Sequence, residues 1–196
     1  MKNLLTALLL PLLFASCSVL KPVEDTSVHY LLDPVVPQRK VTGGSPSVAI
    51  APPALPSYLD RQQLVTRTSN GELEMNTYHL WAESLDAGIA RVTSQNLSRL
   101  ENSLNIQPVK NFVTLEYQTL LELRVSRFEP DASGNVVLDA TWKLQPVNGP
   151  VASTRSFTTV VPIPGPPAAA TAPQNARIAA MNEALARLAR EISKSL

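Results

Sequence analysis

The longest regular pattern in this chain is an alternation of apolar and polar residues from Phe112 to Phe128. A period of two is typical of a β-strand with one buried face. The turn-forming segment Asp131–Asn135 follows, and a second alternating run continues from Val136 to Leu144. Together they predict a long β-hairpin. Because strands usually span about 3 to 10 residues, the first run is expected to bend, break or project beyond the core.

The two faces of the first run differ in regularity. The apolar face comprises Val113, Leu115, Tyr117, Leu121, Leu123 and Val125. Phe112, Leu120 and Phe128 interrupt the polar face. Large apolar residues on a polar face indicate either a second packed layer or a surface for an oligomer or partner.

Several shorter segments also predict strands. An Asn70-Gly71 pair between two alternating runs is a strong signal for a hairpin. The predicted shorter strands are Val28–Leu32, Ser47–Ile50, Leu64–Thr68, Glu72–Tyr78 and Arg155–Val161. A proline-rich loop, Pro162–Pro173, follows the last of them.

Two amphipathic helices complete the prediction. Ser84 is a plausible N-cap and Asp86 lies in the first turn. The apolar stripe of this helix comprises Leu85, Ile89, Val92, Leu97, Leu100 and Leu104. A second helix is predicted from Pro173 to Leu196. Because strands and helices do not alternate one by one, the order predicts an α+β fold, with an antiparallel or mixed sheet packed against the two helices.

The N-terminus has the pattern of a secretory signal. Lys2 precedes an apolar run from Leu4 to Phe14, which is shorter than the roughly 20 residues needed to span a bilayer. The segment Leu13–Cys17 resembles a bacterial lipobox. This resemblance implies cleavage before Cys17, a thioether-linked diacylglycerol on its thiol, and a fatty acid such as palmitate on its amine. An ordinary cleaved signal with a chance cysteine, or a buried structural cysteine, is the alternative.

The lipobox divides the chain into three parts. Residues 1–16 are the predicted signal peptide, 17–27 a lipidated tether, and 28–196 a single α+β domain. Ten tether residues reach at most about 33 Å. The residue after Cys17 is Ser18, whereas an aspartate there would resemble an inner-membrane retention signal. This difference favours the outer membrane. Loss of Lys2 with the signal leaves 16 basic and 16 acidic residues, so electrostatic attraction to anionic lipid is not expected.

The composition argues against several kinds of functional site. One cysteine cannot form an internal disulfide or a thiolate metal cluster, and a net charge of +1 does not favour nucleic acid. No phosphate-binding loop or nucleophile elbow is present, so no cofactor and no enzymatic activity are predicted. His29 and His79 could form a metal pair if their strands adjoin, but ordinary histidines in a sheet are the favoured interpretation.

Two motifs carry a resemblance to a known family. The stretch Pro56–Arg67 contains Tyr58-Leu59-Asp60-Arg61, and Tyr78–Leu85 contains Trp81-Ala82-Glu83. With Asn96-Leu97 and the C-terminal Leu-Ala-Arg helix, they resemble the ABC-type transport auxiliary lipoproteins, the paraquat-inducible protein C (PqiC) family. The resemblance covers about Val28 to Leu196.

The resemblance implies an outer-membrane lipoprotein that faces the periplasm. It would be a non-enzymatic auxiliary or docking subunit of an ABC-type lipid-transport system that maintains envelope integrity. Its implied partners are inner-membrane transporter components and a periplasm-spanning protein of mammalian-cell-entry (MCE) domains, with homo-oligomerisation as an option.

Alternatives remain open at this point for both the motif and the function. Tyr58, Leu59, Asp60, Arg61 and Trp81 either contact a partner or are structural, as a turn closed by an Asp60–Arg61 ion pair and a core residue under the first helix. One alternative function is an envelope assembly lipoprotein. The other is a lipid carrier whose cavity would be lined by Leu121, Leu123, Trp142 and Leu185.

Overall fold

The computed structural model describes residues 25–37, 40–111, 116–150, 153–165 and 173–196. The predicted signal peptide, Cys17 and most of the tether lie outside these residues. In chain order the elements are β1 (Val28–Tyr30), β2 (Val48–Ile50), β3 (Gln63–Arg67), β4 (Leu73–Trp81), α1 (Leu85–Glu101), β5 (Ile106–Pro108), β6 (Thr119–Pro130), β7 (Asn135–Pro146), β8 (Arg155–Pro162) and α2 (Gln174–Ser193).

The strands form two mixed sheets. A three-stranded sheet has the order β1-β4-β3, and a five-stranded sheet has the order β5-β2-β6-β7-β8. Strand β2 is parallel to both its neighbours, whereas β6, β7 and β8 form an antiparallel meander. Helix α2 packs on β7, β8 and α1. The predicted α+β fold, with a mixed sheet and two helices, is confirmed.

The long hairpin is present as β6 and β7, but its first strand differs from the prediction. Strand β6 begins at Thr119 and ends at Pro130. Residues 112–115, including Phe112, lie outside the described residues. A register shift between Val125 and Arg127 interrupts the pairing with β7. A bulge of this kind re-aims the side chains beyond it. Phe128 is therefore buried in the core and does not lie on the polar face, as strict alternation would place it.

Helix α1 begins where predicted but ends earlier. Ser84 has the extended backbone of an N-cap, although its side chain makes no capping hydrogen bond. Asn102 takes a left-handed conformation with φ 53°, and its N–H donates to the carbonyl of Ser98. This C-cap ends the helix at Glu101. Leu104 is consequently exposed and is not part of the buried stripe.

The Asn70-Gly71 hairpin is confirmed between β3 and β4. Both residues have positive φ, 70° and 79°, which matches the preference of Asn and Gly for left-handed turns. Strand β4 then bulges between Met75 and Leu80, where Asn76 Oδ1 accepts hydrogen bonds from the N–H groups of Tyr78 and His79. Strand β5 was not predicted, since three residues carry too little periodicity to be recognised.

The segment that follows β1, Leu32–Val36, is held by side chains from both helices. On α1, Arg91 Nη2 donates to Leu32 O at 2.8 Å, and Asn96 Oδ1 accepts from Val36 N–H at 3.2 Å. On α2, Asn182 Oδ1 accepts from Asp33 N–H at 3.0 Å. The chain that directly follows β1 is therefore fastened to both helices.

Candidate functional site

The Tyr58–Arg61 motif forms a turn between the two sheets. After β2, the N–H groups of Ala51 and Ala54 donate to carbonyls of β6 at 3.0 and 2.9 Å. The chain then turns at Pro56, whose carbonyl accepts hydrogen bonds from Leu59 N–H at 2.9 Å and Asp60 N–H at 3.2 Å. The turn therefore lies beside β6 and leads into β3.

A buried carboxylate lies under this turn. Glu129 Oε1 is 2.8 Å from Arg67 Nε and 3.1 Å from Arg127 Nε. Its Oε2 accepts a hydrogen bond from Phe128 N–H at 2.9 Å and lies 3.1 Å from the hydroxyl of Tyr58. We call these four residues, Tyr58, Arg67, Arg127 and Glu129, the Glu129 cluster. It joins the motif turn, β3 and the end of β6.

The Glu129 carboxylate is fully paired within its cluster. The Glu129 side chain has no solvent-accessible surface, and both arginines remain partly exposed. The Arg67 guanidinium also lies over the Tyr58 ring, 5.6 Å from its centroid. Burial, followed by the nearby Glu129 charge, raises the pKa of Tyr58. The hydrogen bond to Glu129 raises the pKa of Arg67. A saturated carboxylate of this kind holds three segments of the chain together.

We expect Tyr58→Phe to lower the free energy of unfolding by about 1 kcal/mol at neutral pH, because the hydrogen bond that the hydroxyl shares between Glu129 Oε2 and Ser126 O is lost while the ring remains. The raised pKa of Tyr58 favours the protonated phenol in the folded state. Its contribution is present below pH 10.0 and is lost as pH rises through the raised pKa. Wild type should therefore lose stability more steeply above pH 10.0 than Tyr58→Phe does.

Urea unfolding at neutral and alkaline pH measures both effects. Tyr78→Phe is the matched control, because the Tyr78 side chain is exposed. Equal pH profiles for wild type and Tyr58→Phe would contradict the role given to the Tyr58 hydroxyl.

Leu59 and Trp81 are core residues. Both are buried, and they line a small cavity of about 10 Å³ with Leu85 at the start of α1 and Phe128 of β6. The backbone N–H of Trp81 donates to the backbone carbonyl of Gln62 at 2.7 Å, which connects β4 to the residue that precedes β3. Both motifs of the sequence therefore meet at one place in the core.

Asp60 and Arg61 do not interact as predicted. Asp60 is exposed, and the Arg61 guanidinium is directed to Met75 Sδ. The ion pair proposed for these neighbours is absent from the described part of the chain. The Asp60 side chain is exposed and Arg61 contacts Met75, so the two side chains do not pair. The backbone hydrogen bonds to the Pro56 carbonyl close the turn instead.

The strands of the two histidines adjoin, but their side chains do not converge. Parallel pairing of β1 and β4 places Val28 opposite His79 and His29 opposite Leu80. Side chains alternate across a strand, so His29 and His79 lie on opposite faces. His79 Nδ1 is instead 2.8 Å from the Tyr30 hydroxyl. Within the described residues, no group of three or more potential ligands could hold a metal ion.

The residues expected to line a lipid cavity are packed in the core. Leu121, Leu123, Trp142 and Leu185 are all buried, and they belong to one hydrophobic cluster. The cavity of about 10 Å³ described above is far smaller than the roughly 300 Å³ of a small ligand pocket. A wider, open depression of about 440 Å³ is lined by two of these residues, Leu123 and Trp142, together with the charged residues Glu122, Arg124 and Lys143.

Glu129 and Arg127 were not predicted as site residues, and Arg67 was named only as the last residue of the stretch Pro56–Arg67. The available signal was an Arg-Phe-Glu-Pro segment at the end of a long strand. Strict alternation would place Glu129 with Val125 on the apolar face, where an unpaired carboxylate is not expected. The bulge between Val125 and Arg127 moves Glu129 to the other face of β6, where Tyr58 and two arginines surround its carboxylate.

No helix in the described part of the chain is both long and apolar enough to cross a membrane.

Known proteins resemble this chain in family and in fold. A family model described as "ABC-type transport auxiliary lipoprotein component" matches residues 30–193. None of the curated proteins matches the chain. A solved structure of an uncharacterized protein is 18% identical with a TM-score of 0.68, covering 86% of this chain and 97% of its own. A DUF330 protein from Xanthomonas campestris is 19% identical with a TM-score of 0.67, covering 85% and 93%. At these identities the structural likeness shows the fold alone.

Proposed function

The chain belongs to the ABC-type transport auxiliary lipoprotein family, and on this basis we propose that it is a non-enzymatic docking subunit of a lipid-transport system. It is anchored to the outer membrane through Cys17 and faces the periplasm. The family match over residues 30–193 is the observation that carries the proposal. The packed core and the saturated Glu129 cluster support a binding role over a catalytic or carrier role.

The proposed arrangement has three parts. Residues 1–16 are removed, 17–27 tether the lipid-modified cysteine, and 28–196 form the periplasmic domain. The domain engages a periplasm-spanning MCE-domain protein, which connects to inner-membrane transporter components. Homo-oligomerisation would let several copies surround a multimeric tunnel.

Affinity capture tests this function. Lipidated, tagged protein is isolated from membranes under mild detergent, and co-purifying proteins are identified by mass spectrometry. Recovery of an MCE-domain protein is expected. Repeated absence of that protein, with Cys17 shown to be lipidated, would contradict the proposed function.

Within the Tyr58–Arg61 turn, Asp60 is the residue we propose for partner contact. Its side chain is exposed, whereas Leu59 is buried and Tyr58 belongs to the Glu129 cluster. An exposed carboxylate on a turn that is held by its backbone and by the core beneath it presents a charge at a defined position. This arrangement separates a contact role for Asp60 from a structural role for its neighbours.

Substitutions at Leu59 and Asp60 should have opposite signatures. Asp60→Ala should change stability by less than about 0.5 kcal/mol while reducing partner recovery about tenfold. Leu59→Ala should cost about 2 to 5 kcal/mol through the cavity it creates. Denaturant unfolding and quantitative capture measure the two quantities.

Glu72→Ala is the matched control for Asp60→Ala, since Glu72 is also an exposed carboxylate. It should affect neither stability nor capture. Equal recovery of partner by Asp60→Ala and Glu72→Ala would overturn the contact role of Asp60.

A further inference from the structure

One face of the three-stranded sheet carries an uncharged patch beside the start of the domain. The β1–β4 register sets His29 opposite Leu80. Next to this pair, Leu31 directly follows β1 and Tyr78 lies two residues before Leu80, and both side chains are exposed. We call His29, Leu31, Tyr78 and Leu80 the β1–β4 patch. Tyr78 is 59% exposed, and Leu31 is also among the exposed large hydrophobic residues.

The opposite face of the same strands is directed to the interior. Trp81 and Leu32 are buried, and Tyr30 packs against the core. The β1–β4 patch is thus the outer surface of a sheet whose inner surface is covered at Tyr30, Leu32 and Trp81, with Val28 exposed at its edge. Aspartate, glutamate, lysine and arginine are absent from its four positions.

The patch lies where the proposed tether joins the domain. Strand β1 is paired to β4, and the segment after it is fastened by Arg91, Asn96 and Asn182. This end of the domain therefore has little freedom of its own. The chain between Cys17 and Val28 spans at most about 36 Å when fully extended, and any bend shortens it.

We propose that the β1–β4 patch rests on the lipid surface to which Cys17 is anchored, an inference that depends on the proposed anchoring. Tyrosine has an apolar ring and a polar hydroxyl, and it is favoured at membrane interfaces. Leu31 and Leu80 add apolar area without a charge that would have to be desolvated. Since the mature chain has equal numbers of basic and acidic residues, contact depends on this apolar area together with the short tether.

Contact through the patch would orient the domain. The three-stranded sheet would face the lipid, and the Tyr58–Arg61 turn would be held in a defined direction relative to the membrane. A short tether alone limits distance but leaves rotation free. The patch is therefore assigned to orientation, and Cys17 to attachment.

A fluorescent probe at position 78 tests the proposal. The sequence contains one cysteine, so Tyr78→Cys provides a single reactive thiol once Cys17 is lipidated. Full-length mature protein with an NBD label at position 78 is reconstituted into vesicles of phosphatidylethanolamine and phosphatidylglycerol. A phospholipid that carries a doxyl quencher near its glycerol should lower the emission about twofold, because interfacial residues reach this depth.

Val160→Cys is the matched control, because Val160 is 49% exposed but lies on β8 of the other sheet. Its label should not be quenched. Equal quenching at both positions, or none at position 78, would overturn the proposal. A blue shift at position 78 without doxyl quenching would also overturn it, because protein and not lipid would then cover the patch.

The state of Cys17 is read separately from the mass of the N-terminal peptide. An unmodified, NBD-labelled Cys17 would contradict the proposed anchoring. A lipidated Cys17 with no quenching at position 78 would contradict the patch alone.

Discussion

Replacement of Cys17 by alanine should abolish fatty-acid labelling and release nearly all of the protein from the membrane fraction. The thioether bond to diacylglycerol requires the thiol, so no lipid can be attached at this position. Each acyl chain contributes about 0.8 kcal/mol per buried methylene, and two or more chains are needed for stable anchoring. The equal numbers of basic and acidic residues in the mature chain provide no electrostatic substitute.

Metabolic labelling with a palmitate analogue and membrane fractionation measure this result. Ser18→Asp is an informative control, because it should keep the lipid but move the protein to the inner membrane. Unchanged membrane association of Cys17→Ala would contradict the lipid anchor. The β1–β4 patch alone should not retain the protein.

Replacement of Glu129 by glutamine should lower the free energy of unfolding by about 3 kcal/mol. Breaking a buried ion pair by removing one partner costs about 3 to 5 kcal/mol, because the remaining charge loses its compensation. Here two guanidiniums, those of Arg67 and Arg127, would face each other without the carboxylate between them. Their partial exposure allows some rehydration, so we expect the lower end of the range.

Glu122→Gln is the matched control for Glu129→Gln. Glu122 also lies on β6 and pairs across the sheet with Lys143 at 2.6 Å, but both side chains are partly exposed. Removing an exposed pair should cost no more than about 1 kcal/mol. Denaturant unfolding compares the two variants. Equal losses of unfolding free energy in the two variants would contradict a stabilising role for the Glu129 cluster.

The local elements of this fold could largely be predicted from sequence. Three features depend on residues that are close in sequence, and the sequence shows them directly. They are the Asn70-Gly71 turn, the apolar stripe of α1 and the spacing of apolar residues in α2. Strand β5 was not predicted, because three residues become a strand only beside β2. Leu104 was assigned to the α1 stripe because a left-handed Asn102 has no periodic signature.

The candidate site was only partly predictable, and for a related reason. The two motifs do meet, since Leu59 and Trp81 line the same small cavity. The partner of Tyr58, however, is Glu129, which lies 71 residues away along the chain. Adjacency made Asp60 and Arg61 look like a pair, whereas the fold directs Arg61 to Met75.

By itself, the sequence determined the type of each long element, the α+β class and the family resemblance, because hydrophobic period and motif spacing are local properties. Tertiary structure decided which side of the sheet Phe128 and Glu129 occupy. A single bulge in β6 reverses the alternation of buried and outward-facing side chains beyond it. The free energy of forming that bulge depends on groups that are distant in sequence. The turn at Pro56, Arg67 of β3 and the core beneath α1 supply those groups, and only the folded chain brings them together.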